Sequence, residues 1–339
     1  LTAAGVEQDE PFIFTDPNLY AEFTYVLQLD ACLSRTRAIP IAVGAGTIND
    51  LTKICSYRNG KRYMCVATAA SMDGYAAYGA SITYNGEKKD FECPAPKAIL
   101  ADTAIIAQAP SSLTAAGYAD LAAKIPCGAE WMIADIMGTE PIIPEAWHVL
   151  QDVLDDQLAN PDGVAACDKD AIAALFEGLT LSGFAMQAIQ SSRPASGTEH
   201  QFSHCWDMED LCFEGKHVSH GFKVGIGTLV STAELEFLLE KGLEDIDVDA
   251  CVEAWKSWDE MESEIRTLME GKPGHIARAL VEAKGKYVDK DGLRNQLETL
   301  KAAWPELSVK IREQIISFDQ IRENLRLVGA PYEPEMIGV

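Results

Sequence analysis

The feature that most constrains this chain is a change of character at Pro110. Before it, short apolar runs alternate with helical periodicity; after it, apolar residues recur at helical spacing alone. Ala38 to Val43 (AIPIAV) and Tyr63 to Thr68 (YMCVAT) read as buried strands, and Glu10 to Phe14 (EPFIF) as a shorter one. Between them, residues 17–37 place Leu19, Phe23, Val26, Leu27 and Leu33 at three- and four-residue spacing, a helical pattern. Strands alternating with helices imply a parallel sheet with right-handed crossovers. Ser81 to Cys93 breaks the rhythm, because an Asn85-Gly86 turn between alternating residues predicts a β-hairpin. Lys97 to Ile106 returns to the sheet as its last strand. The strand and helix that normally open such a sheet are not found, so the expected sheet lacks its first strand. Segments 111–137, 145–157, 168–191, 198–213, 221–243, 247–270, 275–285, 291–302 and 307–327 then read as helices, with no strand among them. The expected fold is an α/β domain over 1–110 and an all-helical domain over 111–339.

Composition narrows the class. With 47% hydrophobic residues the chain carries enough apolar surface for a sizeable core. A formal charge of −24 argues against nucleic acid and against anionic membrane surfaces as partners. Nine scattered cysteines without a Cys-x-x-Cys pair read as reduced thiols. No run of about 18 consecutive apolar residues and no signal peptide ahead of the first strand are found. A cytoplasmic protein is expected.

The chemistry concentrates in one window. Four of the six histidines (His200, His204, His217, His220) fall between Arg193 and Lys223. His200 and His204, four apart, stack on one helix face. His220, in a Ser-His-Gly turn, lies where a loop returns to the same pocket. Neutral imidazole is the commonest protein metal ligand. Asp120, in AGYADLAAK, supplies the carboxylate that completes a usual divalent-metal set, or is simply an acidic residue favourable to its helix dipole. Spacing does not choose between these. GAGTIND (44–50) follows the AIPIAV strand and opens a helix, where two glycines let backbone N–H groups approach a phosphate. An ordinary tight turn fits as well, since Asn49 stands where the full fingerprint has a third glycine. Thr68-Ala69-Ala70-Ser71-Met72-Asp73-Gly74 ends the next strand, so both loops face one crevice. Thr68 and Ser71 hydroxyls suit phosphate or ribose. Asp73 suits a hydroxylated substrate, or marks a plain turn.

In this order GAGTIND, TAASMDGY, AGYADLAAK, SRPASGTEHQFSHCWDME and SHGFKVG closely resemble the sn-glycerol-1-phosphate dehydrogenases. These are relatives of dehydroquinate synthase, glycerol dehydrogenase and iron-containing alcohol dehydrogenase. The likeness runs from about residue 39 to 230 and continues more loosely through the later helices. It implies a divalent metal, zinc or nickel, held by Asp120, His200 and His220. It implies NAD or NADP on Gly44, Gly46, Thr47, Ile48, Asn49, Asp50, Thr68, Ala69, Ala70 and Ser71, which makes residues 1–110 a dinucleotide-binding domain. Substrate contacts are expected from Asp73, Asp120 and His204, with His204 and Asp120 catalytic. The implied reaction interconverts dihydroxyacetone phosphate and sn-glycerol 1-phosphate; a polyol dehydrogenase and a non-catalytic metal-binding relative are the alternatives. The partner would be a small phosphorylated polyol, with homo-oligomerisation left open. Lys124 stands four residues after Asp120, where the iron alcohol dehydrogenases carry a histidine. The missing first strand leaves NAD against NADP open, and relatives continue into a further helix beyond Pro334-Glu-Met-Ile-Gly-Val339. In so acidic a chain, Arg193, Lys124 and Lys223 are the expected phosphate partners, and His204 the proton relay. His217 and His148 read as surface residues.

Overall fold

The computed structural model describes residues 2–17, 19–84 and 87–339. Its first part holds five strands: β1 (Ile41–Gly44), β2 (Met64–Ala67), β3 (Ala80–Tyr84), β4 (Glu87–Phe91) and β5 (Ala98–Ala101). β1, β2 and β5 form a parallel sheet in that order, with Gly44 opposite Ala67 and Ala67 opposite Ala101. One face sends Ala42, Cys65 and Ala67 into the core, while Ile41, Val43, Met64 and Leu100 on the other are exposed. β3 and β4 make the expected antiparallel hairpin; its Asn85-Gly86 turn lies outside the described residues. The expected strand over 97–106 is only half strand. Asp102 accepts the Ala104 N–H at 2.9 Å and caps a short helix, Thr103–Ile106, directly after β5.

The predicted strand at 10–14 is not formed. Those residues find no sheet edge, and Ile13 is 71% exposed. An apolar run without a paired neighbour leaves its backbone to water, so hydrophobicity alone does not make it a strand. Phe14 instead packs edge-on against Tyr25 of the first long helix, Phe23–Leu33.

Beyond Pro110 helices dominate, with several departures: the helices expected over 247–270 and 307–327 are interrupted at 255–257 and at 315–317. The helix expected over 198–213 ends at Met208, and Asp210 enters the left-handed region (φ 54°). A small antiparallel pair follows, β6 (Cys212–Phe213) with β7 (Lys216–His217), turned through Gly215 (φ 75°). Conversely, the break expected near Pro305 does not occur, and one helix runs Lys290–Gln314. Trp304, Leu307 and Ile311 on either side of the proline are buried against Leu235 and Leu239. That burial offsets the hydrogen bond a mid-helix proline forfeits.

The largest core cluster joins both halves, bringing Ala42, Tyr63 and Cys65 together with Tyr118, Leu121, Leu175 and Ile226. Lys169–Ile189 is long and apolar enough to cross a membrane by length and composition, at mean hydropathy 1.4. Half of that stretch is buried inside the protein, including Ile172, Leu175 and Leu179.

Candidate metal and cofactor site

Three helices are drawn together by backbone contact. A Cβ on Gly221 would strike the Ala116 carbonyl of helix Ser111–Ala122, and one on Gly227 would strike the Glu199 carbonyl of helix Thr198–Met208. Glycine at these positions lets the helix His220–Lys241 lie directly on both neighbours. Asp120, His200 and His220, one from each helix, thereby offer ligand atoms that all lie within 4.8 Å of one another. His200 Nε2 is 3.8 Å from Asp120 Oδ1, and the two imidazole centroids are 5.3 Å apart.

The protonation states suit cation binding. Burial pushes the His220 imidazole down to about 3 against the raising pull of Asp120, so the ring is neutral at neutral pH and keeps one nitrogen free of a proton. Burial alone would raise the Asp120 pKa, but Lys124, His220 and His200 outweigh it and hold the carboxylate below its usual range. An anionic oxygen and two imidazoles are the donor set that borderline divalent cations take.

Glu199 was not expected from the sequence. It is fully buried, and its Oε1 lies 2.8 Å from His200 Nδ1 while accepting the Gly197 N–H at 2.7 Å. The contact puts the His200 proton on Nδ1 and leaves Nε2 free to face Asp120. Glu130 accepts the Thr198 N–H at 2.9 Å, and burial, then Glu199, raise its pKa. A carboxylate beside a metal-type histidine is a recognisable signal, so Glu199 could have been found inside the SRPASGTEH motif. Glu199→Ala should weaken cation binding by roughly 10- to 100-fold, read by competition with a chromogenic chelator, and Glu199→Gln by less. Unchanged affinity would mean that packing alone orients His200.

His204 lies beside this group, its ring 6.5 Å from that of His200. Its Nδ1 is 3.2 Å from Nη2 of Arg278, on the helix Pro273–Lys286. Burial, then His200 and Arg278, lower its pKa. Arg278 also reaches the Lys88 carbonyl at 3.4 Å and has no ion-paired carboxylate among the described residues. No sequence signal marks it, because 74 residues separate it from His204.

The expected phosphate partners are all engaged. Arg193 Nε pairs with Glu140 Oε2 at 2.6 Å, and Lys223 pairs with Asp207. Lys124 Nζ bridges Asp120 Oδ1 at 2.8 Å and Asp73 Oδ2 at 2.9 Å. Asp73 is correspondingly tied down. Its Oδ2 also accepts the Ser182 hydroxyl at 2.8 Å, and its N–H donates to Asp120 Oδ2 at 3.0 Å. Among the described residues these contacts use its N–H and its Oδ2.

The two strand-end loops lie side by side, since the Thr68 N–H donates to the Gly44 carbonyl at 3.2 Å. β1 is, however, an edge of the three described parallel strands rather than their centre. Met72 packs over Gly46 and Gly74, which joins the loops. Asn49 and Asp50 are directed inward. Asn49 accepts from the Tyr63 hydroxyl at 3.0 Å and donates to the Gly74 carbonyl at 3.3 Å, and burial raises Asp50 to about 6. Ala69 and Ala70 are buried as well. Gly44, Thr47, Ile48, Thr68 and Ser71 keep partial exposure at the carboxyl ends of β1 and β2, where the first turn of the helix Gly46–Arg58 begins.

Comparisons with known proteins agree with this architecture. Residues 4–110 match the family model of the iron-containing alcohol dehydrogenases. The glycerol dehydrogenase of Schizosaccharomyces pombe superposes with a TM-score of 0.54 at 17% identity, over 87% of this chain and 76% of that one. The family match over residues 4–110 and the shared fold make this chain similar to the iron-containing alcohol dehydrogenases. In sequence the chain is similar to glycerol-1-phosphate dehydrogenases. It is 40% identical to the glycerol-1-phosphate dehydrogenase [NAD(P)+] of Halalkalibacterium halodurans over 57% of this chain and 48% of that protein. It is 34% identical to that of Geobacillus stearothermophilus over 69% and 58%. The chain spans about half the length of the curated relatives it matches.

Proposed function

We propose that this chain carries the catalytic machinery of a metal-dependent, NAD(P)-linked oxidoreductase that interconverts dihydroxyacetone phosphate and sn-glycerol 1-phosphate. The observation that carries the proposal is the convergence of Asp120, His200 and His220 beside His204 and the guanidinium of Arg278, which has no carboxylate partner among the described residues. Residues 1–110 form the dinucleotide-binding part and 111–339 the metal- and substrate-binding part. A divalent cation bound there, zinc or nickel, supplies Lewis-acid polarisation of the substrate carbonyl, and nicotinamide bound in the crevice supplies the hydride.

The chain's own residues do the rest. Glu199 fixes the His200 ring so that Nε2 is the ligand atom. Guanidinium can only donate, so Arg278 makes His204 Nδ1 an acceptor and leaves the proton on Nε2. That Nε2–H is the donor we assign to the alcohol oxygen formed on carbonyl reduction. Arg278, with Lys88 beside it, takes the phosphate role expected of Arg193, Lys124 and Lys223. The first-turn amides from Gly46 to Ile48 cradle the cofactor pyrophosphate, with Thr68 and Ser71 offering hydroxyls. The nine free cysteines fit a cytoplasmic location.

The test is reduction of dihydroxyacetone phosphate against plain dihydroxyacetone, with NADH or NADPH and added metal. The phosphorylated ketone should be strongly preferred. Losing one charge-assisted phosphate contact costs roughly 1.5–3 kcal/mol, so Arg278→Ala should reduce kcat/KM for the phosphorylated ketone by about 10- to 150-fold. It should leave the rate with the plain ketone nearly unchanged. Equal rates on both ketones in the unmutated protein would make it a polyol dehydrogenase, the reading favoured by the carboxylates already paired with Lys124, Lys223 and Arg193.

A further inference from the structure

The hairpin of β6 and β7 carries a second group of metal-type side chains that the proposed reaction does not use. Asp210, Cys212 and His217 offer one ligand atom each, all within 4.8 Å of one another. His217 Nδ1 lies 3.2 Å from Asp210 Oδ1 and 3.6 Å from Cys212 Sγ. Tetrahedral zinc with bonds of about 2.0 Å to nitrogen and oxygen and about 2.3 Å to sulfur has ligand–ligand edges of about 3.3 and 3.5 Å. The two separations match those edges. We propose that this hairpin is a second cation site, in which Asp210, Cys212 and His217 hold a borderline divalent cation such as zinc, cobalt or nickel, with the fourth position open to solvent.

The hairpin builds this arrangement from its backbone. Cys212 and His217 are directly paired across the two strands, so their side chains leave the ribbon on the same face. Below them the Val218 N–H donates to the Leu211 carbonyl at 3.2 Å and closes the base. Asp210, in the left-handed region after the helix, brings its carboxylate back toward His217. Tyr20 lies against the His217 ring at a centroid distance of 5.2 Å and sets its plane. Thiolate and imidazole together favour zinc, cobalt and nickel over magnesium and calcium. Cys212 and His217 are exposed, so the site is open to metal from solution. The Asp120 group contains no sulfur, which separates the two sites spectroscopically.

The experiment is a cobalt(II) titration of the full chain. Two equivalents should bind, and a thiolate-to-cobalt charge-transfer band should accompany one of them. Cys212→Ser should abolish that band and leave one equivalent, and His217→Ala should do the same. Asp120→Ala should lose the other equivalent and keep the band. In parallel, saturating zinc should protect Cys212 from iodoacetamide, while Cys205, exposed on the neighbouring helix and outside both metal-type groups of the described residues, reacts as before. If the band is absent, or Cys212 reacts equally fast with and without zinc, the site is refuted.

Discussion

Alanine at His200 or Asp120 is expected to remove bound cation and turnover together. The three ligand atoms lie within 4.8 Å of one another and come from three different helices. Losing one leaves two donors, too few to hold a catalytic cation whose usual protein set is three. Polarisation of the carbonyl contributes several kcal/mol to the barrier, so the rate should fall by roughly a thousandfold or more. His204→Ala should behave differently, because its Nδ1 is turned to Arg278 and its ring stands off from the other two. It should keep its metal and lose about 10²- to 10⁴-fold in kcat, the usual range for a positioned proton donor. The paired readout is metal content by elemental analysis and kcat on the same preparations. Metal lost from His204→Ala as completely as from His200→Ala would make His204 a ligand and vacate its proposed role.

How much of this was legible in the sequence varied with the range of the interactions. β1, β2 and the β3–β4 flanks are short apolar or alternating runs bounded by turn residues, and local pattern suffices for them. The run at 10–14 has the same composition but no partner strand, which pattern cannot reveal. Gly215 and Asp210 interrupt a helical pattern through left-handed backbone, and only the glycine announces it. Asp120, His200 and His220 could be grouped because family-like motifs bracket all three. Nothing in those motifs says that Gly221 and Gly227 bring the helices into contact. Arg278 takes its place by tertiary packing alone. For Asn49 and Asp50 the glycines before them suggest an open loop. In the fold they sit on the buried side of the helix Gly46–Arg58, bound to Tyr63 and Gly74 or close to Lys53.

Lys124→Met should destabilise the metal-free protein by about 3–5 kcal/mol, the usual cost of stripping one partner from a buried ion pair. Lys124 and Asp120 are both fully buried, and Lys124 also holds Asp73, which is nearly so. Burial by itself would lower the Lys124 pKa, but the two carboxylates outweigh it, so the ammonium stays charged through neutral pH. With methionine there, Asp120 and Asp73 remain linked through the Asp73 N–H, with Ser182 as the other donor, and have no other Lys or Arg ion-pair partner among the described residues. The four-residue spacing places Lys124 one helical turn from Asp120. A fixed cation at that point offsets the carboxylate pair before metal arrives. Added zinc or nickel should therefore restore more stability to Lys124→Met than it adds to the unmutated protein, because it returns positive charge to Asp120. Chemical denaturation with and without metal measures both quantities. A loss below about 1 kcal/mol, the range of exposed pairs, would show that water or a proton neutralises these carboxylates and that Lys124 is dispensable to the fold.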